Sequence, residues 1–212
     1  MGRKPIDKVR IDNPELRADW VQHISPYFFK TGLTSFNMNE ISAILDISKA
    51  TLYKHYATHL EVLEEMIDMR VARTAEFDMI LFDTSIGYWE RYKQSIVFIS
   101  NQLSDFSATF VADLKVEHPY LFQRVIVLQN YITNKLHEFY KLGVAEGLLA
   151  SDLDPHFLAV SDHAFIIQVC EPQFLKENKL TLQDSVNNYF NIKLKGIFKQ
   201  IPISYDPTIA PA

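Results

Sequence analysis

The 212-residue chain has 48% apolar side chains, a net charge of −5 and one cysteine, Cys170. That is enough apolar material for a sizeable core in one or two domains. No apolar run reaches the roughly 20 residues that span a bilayer, and the opening MGRKPIDK lacks a signal peptide's apolar stretch, so no membrane partner and a cytoplasmic location are expected. A lone cysteine excludes an intramolecular disulfide and a cysteine zinc cluster, and its setting in FIIQVC marks Cys170 as a small buried hydrophobe. The charge is unevenly divided. Residues 1–60 carry eight Lys or Arg against six Asp or Glu, and the remainder thirteen against twenty, the polarity of a chain with a DNA-facing N-terminal end.

Apolar spacing is helical nearly throughout, and no alternating runs meet at an Asn-Gly or Asp-Gly turn, which predicts an all-α protein. Asn13 before Pro14 announces the first helix, with Leu16, Trp20, Ile24, Tyr27 and Phe28 inward and Gly32 as its stop. Pro26 within it predicts a bend or a break. Asn37 and Glu40 form a capping-box pattern for a short second helix with Met38, Ile41, Ile44 and Leu45 as its apolar stripe. Asp46 and Ile47 make a turn, and Ser48 caps a third short helix whose Leu52 and Tyr56 join the same core. Thr58 and Glu61 repeat the capping box and launch a long amphipathic helix through Val62, Leu63, Met66, Ile67 and Val71 toward Phe77. Further helices are predicted near 87–102, 105–116, 119–147, 155–171 and 181–199, separated by Gly87, Pro119, Gly147, Pro155 and Pro172. The three prolines of the last residues predict a loose tail.

The segment from Phe29 to Leu63, FKTGLTSFNMNEISAILDISKATLYKHYATHLEVL, resembles the TetR family of bacterial regulators. Gly32 ends the first helix, Asn37 is the small polar cap, Ile41 and Ile44 hold the second helix, Ser48 to Tyr53 match the recognition-helix signature, and Tyr56 is the aromatic before the fourth helix. The resemblance is strong over residues 13–66 and reaches the rest of the chain in outline, through DLKVEHPYLF and GVAEGLLASDLDP. Ser42, Asp46 and His59 depart from the family's usual alanine, glycine and lysine. Asp46 must adopt or avoid a left-handed conformation, and His59 holds a phosphate less firmly than a permanently charged lysine.

The resemblance implies an N-terminal three-helix helix-turn-helix domain (1–58), a helical effector-binding and dimerisation domain (59–202) joined to it by a long helix, and a tail (203–212). Its implied partners are double-stranded operator DNA, a small-molecule effector and a second copy of the chain. A recognition helix offers its first turn to the major groove, where Lys49 and Ala50 would meet base edges while Thr51 and Tyr53 donate hydroxyls to phosphate; Lys54 and His55 are further along it. Asn37, Ser48 and His59 are expected at the DNA backbone. Arg3, Lys4, Lys8 and Arg10 form a candidate minor-groove arm.

By the same resemblance an effector cavity is expected in the aromatic body, with Phe77, Tyr92, Phe110, Tyr131, Phe165 and Gln168 as its lining and a fairly hydrophobic ligand as its occupant. The resemblance also implies a dimer through the last two helices, with Phe157, Val160, Ala164, Ile167, Val186, Tyr189, Phe190, Leu194 and Ile197 as the expected contacts, and a two-fold dimer implies a palindromic operator. No Gly-rich phosphate loop, G-x-S-x-G elbow or H-E-x-x-H motif is present, so no enzyme and no cofactor are expected. His156 and His163 with Asp152, Asp154 and Asp162 are read as surface groups and a helix cap rather than a metal site. The alternative is a helical ligand-binding or protein-interaction module whose helix-turn-helix has lost DNA reading.

Overall fold

The computed structural model describes residues 11–169 and 171–197, without the side chains of Pro172, Leu194 and Ile197. Eleven helices make up these residues: α1 (Pro14–Thr31), α2 (Met38–Ile44), α3 (Lys49–Leu52), α4 (His59–Ala72), α5 (Thr74–Leu81), α6 (Tyr88–Ser104), α7 (Ala108–Glu117), α8 (Pro119–Ala145), α9 (Pro155–Val169), α10 (Pro172–Asn178) and α11 (Leu182–Ile197). The basic arm, Cys170 and the tail lie outside the described residues, as do the side chains of Leu194 and Ile197.

The ends follow the expected capping chemistry. Asn13 Oδ1 accepts from the Leu16 N–H at 3.1 Å, and Gly32, at φ 87°, closes α1. Asn37 Oδ1 accepts from the N–H groups of Asn39 and Glu40, and Ser48 Oγ from that of Thr51. Thr58 caps α4, and Glu61 reaches back to the Ala57 N–H, one residue before the cap. Pro26 neither ends nor divides α1. Its ring and Gln22, whose carbonyl loses a donor to it, are both on the solvent side of the helix, where a missing intrahelical bond is least costly. Tyr27 is exposed rather than inward, and Val21 and Phe29 fill the core in its place.

Asp46 takes the left-handed conformation, φ 52°. The N–H of Asp46 bonds the carbonyl of Ala43 and that of Ile47 the carbonyl of Ser42, the paired closure of a Schellman cap. That geometry suits glycine, because a Cβ is crowded there. Asp46→Gly is expected to stabilise the protein by about 1 kcal/mol, seen as a melting midpoint about 2–4 °C higher; an unchanged midpoint would mean that the cap carries no strain.

Two boundaries differ from the sequence expectation. The long helix expected to run from Thr58 toward Phe77 stops at Ala72 and restarts at Thr74, whose hydroxyl donates to the Val71 carbonyl. Pro172, read as a break, is the first residue of α10, where a missing N–H costs nothing.

The chain forms two compact units. Among the described residues, unit one is 11–70 with 109–122, and unit two is 71–108 with 123–197. The expected division after residue 58 differs from this because most of α4 packs with the N-terminal helices, and α7 joins them. Phe110 of α7 sets its ring edge-on to Phe29 at 5.0 Å, and Asp113 Oδ2 accepts from the Leu33 N–H at 2.6 Å. Phe110 is therefore part of the N-terminal core and not an effector contact in the body. Unit two packs α5, α6, α8, α9 and α11 around Phe77, Tyr92, Phe139, Tyr140 and Phe190.

Candidate nucleic-acid interface and ligand cleft

In unit one, the turn at Asp46 and the Ser48 cap set the direction in which α3 leaves α2. Leu52 and Tyr56 are fully buried and fix the inner side of this segment. Lys49, Ala50, Tyr53 and Lys54 are all exposed, as are Asn37, Ser48 and His59. Two amines, a phenol and a small methyl thus share one outward surface, a composition suited to phosphate oxygens and base edges. Thr51 is half-buried, and its hydroxyl already pairs with Ser48 at 2.9 Å.

His55 departs from its expected role. It is 6% exposed and edge-on to Trp20, ring centres 5.0 Å apart, so it packs beneath the outward surface instead of contributing to it. Helical spacing from Leu52 places His55 on the inner side, and this outweighs its polarity.

The base under α3 is a network that the sequence did not reveal. Arg17 of α1 pairs with Glu65 of α4 at 2.6 Å, Tyr56 donates to the same carboxylate oxygen at 2.9 Å, and the guanidinium sits 4.6 Å from the centre of the Tyr56 ring. Burial, together with the bond to Glu65, holds the Tyr56 phenol protonated well above its ordinary range. Arg17 on α1, Glu65 on α4 and Tyr56 in the segment that follows α3 thus tie the exit of α3 to two other helices. No local motif announces them, because Arg17 and Glu65 are 48 residues apart.

In unit two the expected effector residues scatter. Phe77 and Tyr92 are fully buried in the aromatic core, and Gln168 is exposed. Phe165 stacks on Tyr189 at 3.7 Å. None of these four borders the cleft that Tyr131 lines. That cleft, about 520 Å³, lies between the α4 end with α5 on one side and α8 on the other, bordered by Val71, Thr74, Ala75, Asp78, Val127, Leu128 and Tyr131, with Gln123 and Arg124. Its size suits a small organic ligand.

Deeper in unit two, Asp162 of α9 is fully buried, contrary to its surface reading. Lys193 of α11 pairs with it at 2.5 Å. Tyr92 donates to it at 3.1 Å, and Tyr140 and Tyr189 also donate to it. One carboxylate thus ties α6, α8, α9 and α11 together. Asp154 caps α9 as expected, accepting from the His156 N–H at 2.9 Å, and His163 bonds Thr133. No group of residues able to hold a metal ion occurs among the described residues.

The expected dimer residues divide by face. On α9, Phe157 is 68% exposed, and Val160, Ala164 and Ile167 are exposed with it. Their spacing of three and four makes one apolar stripe, while Leu158, Ala159, Ile166 and Val169 fill the core behind. On α11, Val186 and Phe190 are buried in their own core and Tyr189 is turned toward Asp162, so these three are withdrawn as contacts between copies. Ile192, not among the expected contacts, is 71% exposed. No described helix is long and apolar enough to cross a membrane.

No family model matches the chain. An HTH-type transcriptional regulator of Bacillus subtilis, YvaF, is 25% identical over 85 residues, 40% of this chain and 45% of that protein; the match thus spans under half of the relative's length. Solved structures match far more of the chain. A TetR transcriptional regulator from Chloroflexus aurantiacus superposes with a TM-score of 0.68 at 13% identity, covering 87% of this chain and 97% of its own. The ketosteroid transcriptional regulator KstR2 of Mycobacterium tuberculosis gives 0.61 at 19%, covering 91% and 100%. SmeT, the repressor of a Stenotrophomonas maltophilia multidrug efflux pump, gives 0.63 at 14%, covering 92% and 96%. The all-helical architecture expected from the sequence is the fold that these solved structures share.

Proposed function

We propose, from the TetR-family fold of this chain, that it is a DNA-binding transcriptional regulator, a repressor released from a palindromic operator when a small hydrophobic effector binds unit two. The observation that carries the reading is the outward surface of α3, where Lys49, Ala50, Tyr53 and Lys54 are exposed over a buried base of Leu52 and Tyr56. Lys49 and Ala50, at the start of the helix, are the direct readers of base edges. Tyr53, Lys54, Ser48, Asn37 and His59 position the protein on phosphate.

The homodimer forms through the apolar stripe of α9 with Ile192 of α11. A stripe of this spacing left in water is unfavourable, and a second copy across a two-fold axis supplies a self-complementary cover. Effector binding then favours a spacing of the two DNA-binding units that misses successive major grooves, with α4 as the lever. The proposed location is the cytoplasm, and the domains are those of the two compact units.

The test is a titration against the DNA flanking the protein's own gene and against unrelated DNA. The flanking DNA should bind at least about 1,000-fold more tightly than unrelated DNA, and affinity for both should fall as salt rises from about 50 to about 200 mM. Equal affinity for the two DNAs would favour the alternative module that has lost DNA reading.

A further inference from the structure

Asp78 is the most informative group in the α5–α8 cleft. Its Oδ2 accepts a hydrogen bond from the Tyr131 hydroxyl, while its Oδ1 is buried without a hydrogen-bond partner among the described residues. A carboxylate oxygen taken from water and left unpaired is unfavourable, and a carboxylate accepts hydrogen bonds without donating any. The site therefore lacks a donor. The surrounding cleft wall is mainly apolar, made by Val71, Ala75, Val127 and Leu128. Of the nearby cations among the described residues, Arg124 already has an interaction of its own, and Lys135, 5.6 Å from the centre of the Tyr131 ring, pairs with Glu138 at 2.9 Å.

We propose that this cleft takes a small amphipathic ammonium: a primary amine whose N–H donates to Asp78 Oδ1 while its hydrocarbon body lies on Val71, Val127 and Leu128. The inference rests on the reading of unit two as the effector-sensing part, and it adds the chemical class of the effector and the residue that selects it. A charged donor is favoured over a neutral one because a hydrogen bond between ions is roughly twice as strong as one between neutral groups. Tyr131 is 38% exposed and lines the cleft beside Asp78. Its phenol is held above its ordinary range first by the hydrogen bond to Asp78, so it stays protonated and continues to orient the carboxylate while the ligand occupies the other oxygen.

The test uses three probes of one length, octylamine, octanol and octanoate, titrated calorimetrically into the full-length protein near neutral pH. The wild type should bind octylamine at least about tenfold more tightly than octanol, and octanoate most weakly. Asp78→Asn should bring octylamine and octanol to within about twofold of each other, with octanol affinity retained as the sign that the cleft is still formed. Preference for octanoate, no saturable binding of octylamine, or an Asp78→Asn protein that keeps the wild-type preference would each overturn the proposal; the first two need no variant. Adding octylamine to the protein–DNA complex separates the two claims. Binding at Asp78 that leaves DNA affinity unchanged keeps the ammonium site and removes its role as effector site, whereas DNA release without an Asp78 dependence does the reverse.

Discussion

Replacing Asp162 by alanine is expected to cost the fold about 3–5 kcal/mol, the largest single-residue effect anticipated in this chain. The substitution leaves Lys193 buried without its counter-ion and deprives Tyr92, Tyr140 and Tyr189 of their shared acceptor. Unpaired buried polar groups lose water without recovering an equivalent bond. The thermal midpoint should drop by about 10 °C. Asp162→Leu combined with Lys193→Met should cost clearly less, since removing both ions together avoids a stranded charge. If the single and double variants melt alike, the ion pair does not hold α9 to α11.

The same cluster sets a pH dependence. Burial, followed by the negative charge of Asp162, holds the phenols of Tyr92, Tyr140 and Tyr189 above their ordinary range. Each keeps in the folded state a proton that the unfolded chain releases, so its contribution is fully present below about pH 10 and is lost as the pH rises further. Desolvation moves Lys193 the other way, against the pull of Asp162; its depressed value makes stability rise with pH up to its ordinary range. Three phenols outweigh one amine. Stability should therefore fall above about pH 10, by roughly 1.4 kcal/mol per pH unit for each net proton, and Tyr140→Phe should make that fall shallower.

The second large effect concerns assembly. Phe157→Glu with Ile167→Glu should convert the protein to a monomer in sedimentation velocity, because both residues project from the apolar stripe of α9 while leaving its core face untouched. Operator affinity should weaken at least about 100-fold, since two linked DNA contacts become one. Val116→Glu, on an equally apolar but exposed residue of α7, is the control and should change neither property. A dimer that survives the double substitution would place the interface elsewhere.

The parts legible in the sequence were those written in local chemistry. Asn13, Asn37, Ser48 and Thr58 announce helix starts through side-chain acceptors two or three residues from the N–H groups they satisfy, and Asp46 stood out because one residue type suits a left-handed cap. Long-range pairing was not legible. His55 looked like a DNA contact because its partner Trp20 lies on another helix. Val186 and Phe190 looked like interface residues because α11 has apolar residues on more than one side, and only packing shows which side the core takes. Asp162 was assigned to the surface on its charge; the available signal was an acidic residue inside α9, a helix apolar on more than one face, where an ion needs partners. Of the expected effector residues, Tyr131 lines the α5–α8 cleft, while Phe77 and Tyr92 went into the core, as large aromatics in a small domain usually do.

The proposed reading of DNA by α3 is decided by the binding isotherm of Lys49→Ala on the operator, measured beside Lys30→Ala, a change at an exposed lysine of α1. Lys49→Ala should weaken operator binding by about 10–100-fold and narrow the margin over unrelated DNA, as expected for a lost base contact, while Lys30→Ala leaves that margin unchanged. Wild-type affinity and selectivity in Lys49→Ala would contradict the account.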